Sequence, residues 1–141
     1  MYSSDMGRAG WSRAAVFCAC MAVPLAAACS SDSACVEVSL DCNALYAPTF
    51  DNVFSMTLEA KCGIDGPCHN STRRAGGIVY EDADQAHDLL LQSRVVPGDP
   101  GCSVLVQRLE STGGRVMPPG APLSEQERCS IRQWIANGAE R

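Results

Sequence analysis

The stretch Lys61 to Asn70, KCGIDGPCHN, sets two thiols and an imidazole close together in the chain. GIDGP separates Cys62 from Cys68, and His69 follows the second cysteine directly. Gly63, Gly66 and Pro67 are turn-forming residues, so the intervening segment can bulge outward while the cysteines keep their places. The same freedom lets Cys62 and Cys68 bond to each other. Which of these happens decides how the rest of the chain is read.

Upstream, PTFDNVFSMTLEAKC places Phe50, Val53, Phe54 and Leu58 at helical spacing, with Thr49 set to cap the start. The pattern predicts a helix that runs directly into Cys62. Downstream, Gly76-Gly77 breaks helix and Ile78-Val79-Tyr80 reads as extended. DADQAHDLLLQSRV then predicts a second helix with Ala86, Leu89 and Leu90 facing inward. His87, beside Asp88 on that helix, reads as a solvated surface residue.

In VVPGDPGCSVLVQRLE, Pro97-Gly98 makes a turn, Asp99 can cap and Pro100 suits the first helical position. A third helix follows, with Val104, Leu105 and Leu109 as its apolar face. The loop STGGRVMPPGAP separates it from the last helix, where Ser124 and Glu127 form a capping box. Ile131, Trp134 and Ile135 make the buried stripe there, and Gly138 stops the helix. The expectation is an all-α domain of about four short helices joined by ordered loops, with Trp134 in its core.

The first residues are expected to stand apart from the folded domain. Arg8 and Arg13 precede the apolar run AAVFCACMAVPLAAAC, which is too short to span a bilayer and is bounded by small residues. That layout predicts an export signal over residues 1–28. Cleavage before Cys29 makes Cys29 a lipidation site, although Leu25 stands four residues before it where a lipobox usually has leucine at three. SSDSA then reads as a polar tether, and residues 29–49 as lipid-anchor cysteine, tether and short arm ahead of a domain over 50–141. In the arm, CVEVSLDC alternates Val36, Val38 and Leu40 with polar residues, and is expected to lie outside the core. The expected location is periplasmic or cell-envelope, with the membrane reached through the lipid anchor.

Of the nine cysteines, Cys18 and Cys20 leave with the signal and Cys29 goes to lipid. The six that remain are an even set, which outside the cytoplasm implies disulfides or thiols bonded to something else. The net charge of −5 becomes −6 on losing Arg8, Arg13 and Asp5, since two positive charges and one negative are removed. An acidic domain without a basic run argues against nucleic acid as a partner.

Covalent haem attachment needs two thiols to add across vinyl groups and an adjacent imidazole to bind iron, which is why C-x-x-C-H is a compact unit. Cys62, Cys68 and His69 have that order, with a longer spacer. A low-spin haem also needs a sixth ligand, usually methionine, presented by a loop. Met117 stands in such a loop, stiffened by Pro118 and Pro119 and able to turn at Gly113-Gly114.

From about Phe50 to Ala139 the chain resembles the small c-type cytochrome domains of planctomycetes and myxobacteria. The matching pieces are a helix into KC and CH, then GGIV, VVPGDPGCSVLVQRL, MPPGAPLS and IRQWIANGA. The resemblance implies a cytochrome c-like fold carrying haem c, with Cys62 and Cys68 as thioether attachments, His69 as proximal ligand and Met117 as distal ligand. The spacer between the cysteines departs from the family pattern. On position, Cys102 is expected to pair with Cys129 and Cys35 with Cys42.

Three functions are weighed. The first is electron transfer with redox partner proteins, which needs no substrate chemistry and makes the chain an electron carrier, not an enzyme. The second is a haem-free, disulfide-stapled extracellular module that is structural or binds protein. The third is a zinc site built on Cys62, Cys68 and His69, which lacks a fourth ligand.

Overall fold

Helical order starts where the Thr49 hydroxyl accepts the Asn52 amide, in a computed structural model that describes residues 35–141 apart from 65 and 67. The expected export signal, the lipidated Cys29 and the tether, with Cys18 and Cys20, lie outside the described residues. Helix α1 spans Phe50–Val53 and passes without a break into a π-helical segment, Phe54–Cys62. Its last turn closes with Gly63 N–H donating to the Leu58 carbonyl at 2.8 Å, five residues back. Helix α2 spans Ala83–Ser93, α3 Val104–Leu109 and α4 Glu125–Ala136. The described residues are thus helical with no strand, as the sequence leads one to expect. None of their helices is long and apolar enough to cross a membrane.

The helices are short, and isolated helices of such length are marginal in water, so packing must hold them. Helix α4 supplies most of that packing. It sits against both α1 and α3, and its Ile131, Trp134 and Ile135 are buried with Phe50, Val53 and Leu90. Its ends follow the sequence: Ser124 and Glu127 bond reciprocally as a capping box, and Gly138 leaves the helix at φ +106°.

Four expectations need correction, and all concern contacts distant in sequence. The arm does not lie outside the core, because Val36, Val38 and Tyr46 pack against it. The disulfides join Cys35 to Cys102 and Cys42 to Cys129, where Cys35–Cys42 and Cys102–Cys129 were expected. Extended chain advances about 3.3 Å per residue, so the arm delivers its two cysteines to different elements. At one end Val36 N–H donates to Gly101 at 3.0 Å; farther along, Leu45 N–H donates to the Gln126 carbonyl and the Ser130 hydroxyl.

The same docking explains why α3 begins late. Asp99 caps a turn at Cys102 N–H (3.0 Å) and not a helix, since the arm backbone lies directly on Gly101. A Cβ at Gly101 would stand 2.4 Å from the Val36 carbonyl oxygen.

Finally, His87 is buried and not solvated. Its Nε2 lies 2.8 Å from the Ala139 carbonyl, and its ring meets Phe50 edge-on at 4.7 Å. With Ala86 and Leu90 it forms the inward face of α2, while Leu89 is only half-buried.

The two bonds close loops separated by 67 and 87 residues in sequence. Chain-entropy arguments give each about 4 kcal/mol against the unfolded state. Peptide mapping without reduction is expected to recover 35–102 and 42–129 links. Replacing Cys42 and Cys129 together by alanine is expected to lower stability by about 2–4 kcal/mol in urea titration. Recovery of a 102–129 link would overturn this arrangement.

Candidate functional site

The segment that follows the π-helical turn folds back on itself through backbone contacts. His69 N–H donates to the Cys62 carbonyl at 3.0 Å, so the two ends of the spacer meet although six residues lie between them. Gly66 N–H donates to the Gly63 carbonyl at 3.1 Å inside the loop. Both glycines are required by space. A Cβ at Gly63 would fall 2.0 Å from the Tyr80 carbonyl oxygen, and one at Gly66 would fall 2.7 Å from the Cys62 carbonyl carbon. Tyr80 N–H in turn donates to the His69 carbonyl at 2.8 Å, fixing the imidazole segment to the buried Ile78–Tyr80 stretch.

Above this loop lies a cavity of about 370 Å³. Cys62 and His69 line it from one side, and Met117 reaches it from the loop between α3 and α4. Met117 N–H donates to the Arg108 carbonyl at 3.0 Å, and Gly113, at φ +69°, turns the chain toward that bond. Leu58, Leu105, Leu109 and Leu123 make much of the remaining wall. A smaller adjoining cavity of about 80 Å³ is bordered by Cys62, Cys68, His69 and Met117 together, with Lys61, Pro118 and Pro119. The four residues singled out by spacing are thus assembled in one place. Cys62 and Cys68 are both unbonded and half-buried.

The electrostatics follow from burial. Burial pushes the Cys62 thiol up to about 11, with Lys61 opposing and Cys68 and Glu127 reinforcing the shift. Burial also lowers His69, while the backbone of Ala75 and Ile78 pulls the other way. Its Nδ1 is nevertheless buried without a partner at hydrogen-bond geometry. Tyr80 stands 5.3 Å from the His69 ring, centroid to centroid, and burial raises its phenol strongly.

These residues fit a haem. The cavity is of the size that cofactors occupy, about 300–1,000 Å³. Its wall is largely apolar, and its donors are two thiols, an imidazole and a thioether, the set that c-type attachment and low-spin ligation use. Zinc fits less well: among the described residues no three His, Cys, Asp or Glu side chains gather as a metal site.

Four residues contribute in ways that the sequence did not signal. Arg94 and Arg108 line the larger cavity. Tyr80, expected only as extended chain, backs the imidazole. Glu127, foreseen as a cap, also binds Lys61 Nζ at 2.5 Å and so ties the residue before Cys62 to the start of α4. In comparisons with protein-family models, curated proteins and solved structures, nothing matches the chain.

Burial alone would raise the Glu127 carboxyl, but Lys61 and the Ser124 donors outweigh it and hold the group below its ordinary value. A depressed carboxyl contributes stability above its unfolded pKa of about 4.3, and that contribution is lost as pH falls through the folded value. Glu127→Gln is therefore expected to cost about 1–2 kcal/mol at neutral pH, and to flatten the fall in stability below about pH 4.5. Urea midpoints measured from pH 7 to pH 3 check both. An unchanged acid slope would remove Glu127 from this role.

Space at the spacer gives a second expectation. Gly63→Ala is expected to destabilise the fold by about 2 kcal/mol or more through the clash with Tyr80, measured by thermal melting. A melt unchanged within error would mean the loop does not close in this way.

Proposed function

We propose that the chain is a c-type cytochrome-like electron carrier, with a cytochrome c-like fold, one covalent haem c, export from the cytoplasm and a lipid anchor at Cys29. The observation that carries this reading is the meeting of Cys62, His69 and Met117 on one cavity, from segments far apart in sequence. His69 and Met117 would hold the iron as its proximal and distal ligands, and Cys62 and Cys68 would attach the porphyrin as thioethers. Bound there, haem supplies a one-electron couple between ferric and ferrous iron.

The chain's own residues do the rest. The His69 main chain is held by the backbone bonds to Cys62 and Tyr80, so the residue stands at the cavity before any ligand enters. The Met117 main chain is fixed by the hydrogen bond from its N–H to the Arg108 carbonyl. Its thioether is a soft donor that would favour the reduced state, and the leucines lining the same cavity give it largely apolar surroundings. If His69 and Met117 both hold the iron, no open site would remain for substrate, which is why the chain is read as a carrier and not an enzyme. Partners are then redox proteins of the cell envelope.

The test is a visible spectrum with a pyridine haemochrome assay, on protein exported from cells competent for c-type haem maturation. Covalently retained haem with a low-spin spectrum is expected. His69→Ala is expected to abolish that spectrum, and Met117→Ala to leave high-spin iron. A colourless folded protein whose Cys62 and Cys68 resist alkylation after denaturation would sink the reading, and would leave a haem-free module closed by a third disulfide.

A further inference from the structure

The loop that carries Met117 is weakly held along its length. It runs from Ser111 to Ser124, and of these residues only Leu123 is buried. Pro118, Pro119 and Pro122 bring no backbone donor to it, and residues 118–122 make no hydrogen bond among the described residues. Midway, Met117 N–H donates to the Arg108 carbonyl at 3.0 Å.

Charge fixes the two ends. Glu110, the residue after α3, and Glu125, the first of α4, flank the loop. Both are bound by the same two arginines of α4. Arg132 donates to each carboxylate, and Arg128 reaches Glu125 at 2.7 Å and Glu110 at 3.5 Å. Arg128 Nη1 also donates to the Leu123 carbonyl at 3.3 Å, and Leu123 lines the larger cavity together with Met117. The two acids and two bases thus close on one another across the base of the loop.

Arg132 is only 4% exposed, so this is not a surface pairing. Burial by itself would lower its guanidinium, but hydrogen bonds to Glu125 and Glu110 outweigh that and hold it above its ordinary value. Hydrogen bonds from Arg132 and then from Arg128 hold the Glu125 carboxyl below its own. A buried ion cluster is a poor source of net stability, because desolvation offsets most of the attraction. Its strength is geometric: a planar guanidinium forked between two carboxylates fixes how far apart they stand. Here those carboxylates are the two ends of the Met117 loop.

We propose that Arg132, with Arg128, Glu110 and Glu125, positions Met117: the cluster clamps both ends of the 111–124 loop and so keeps the thioether at the cavity. The service of Met117 as an iron ligand rests on the carrier reading; the clamp on its loop does not. Without the clamp the loop ends can separate while α4 stays in place, since Ile131, Trp134 and Ile135 hold that helix in the core.

Amide hydrogen exchange, followed by NMR on the exported protein with Cys29→Ser, which keeps it off the membrane, reads the clamp with or without haem. The Met117 amide reports the loop. Tyr80 N–H, bonded to the His69 carbonyl, and Val95 N–H, bonded to the Leu90 carbonyl, report the rest of the fold. Arg132→Met, which keeps the length of the side chain but not its charge, is expected to speed Met117 exchange about 10-fold relative to both. Glu110→Gln is expected to act in the same direction to a smaller extent, and it decides alone where Arg132→Met does not fold. In either folded variant, a rise shared equally by the three amides, or no rise, overturns the proposal.

With haem bound, Arg132→Met is expected to convert part of the low-spin spectrum to high-spin, the direction expected for Met117→Ala. A selective rise in Met117 exchange beside an unchanged low-spin spectrum would deny the cluster its positioning role. Selective exchange in protein that takes up no haem during export leaves the clamp standing and refutes the carrier reading. A low-spin haem protein without selective exchange does the reverse.

Discussion

The 3.0 Å bond from His69 N–H to the Cys62 carbonyl is the contact on which the site depends. It makes neighbours of two residues that the sequence separates by a spacer, and it does so without a cross-link. Two conditions permit it. Gly63 must pass under Tyr80, and Gly66 must pass against Cys62, each too closely for a side chain. Gly63 and Gly66 are accordingly buried, while Ile64 between them is exposed. The buried Tyr80 then fixes the closed loop to the core through the His69 carbonyl.

A loop held so tightly needs a rigid base, and the helices alone are poor candidates. Helix α1 has one turn and α3 fewer than two. The arm supplies what they lack. It is joined to the turn before α3 by Cys35–Cys102 and to α4 by Cys42–Cys129, and Tyr46 reaches from it to Thr57 in the π-helical segment at 2.6 Å. Thr57 is fully buried, so that bond satisfies a hydroxyl that would otherwise be costly. Stapling of this kind is how small exported domains offset a modest core. The arm is better described as a structural layer than as a lead-in to the domain.

What the sequence made legible is local. Thr49, Ser124, Glu127 and Gly138 announce helix ends because caps act over three or four residues. Cys62, Cys68, His69 and Met117 could be singled out because their chemistry is distinctive and their order in the chain informative. What it concealed is non-local. His87 reads as surface beside Asp88, but its acceptor is Ala139, at the other end of the domain. The disulfide pairing turns on where the arm docks, and nothing in CVEVSLDC states that Gly101 will be its partner. Asp99 is a good helix cap by type, yet the arm occupies the turn it would have opened into a helix. Arg94 and Arg108 carry no motif, and only packing brings them to the cavity.

The thiols bear most directly on function. Four of the six cysteines in the described region are bonded in pairs that hold separate elements together. The remaining two sit at a cavity with an imidazole and a thioether, and the loop between them is already closed by backbone hydrogen bonds. A disulfide between Cys62 and Cys68 would repeat a closure that His69 and Cys62 make without it. The proposed export would put the pair in an oxidising compartment, where free thiols do not persist, and it would then end either in that redundant bond or in a bond to whatever fills the cavity. The second outcome gives His69 and Met117 a purpose that the first leaves unexplained, and this is the physical reason for reading the site as an attachment site and not as a third staple.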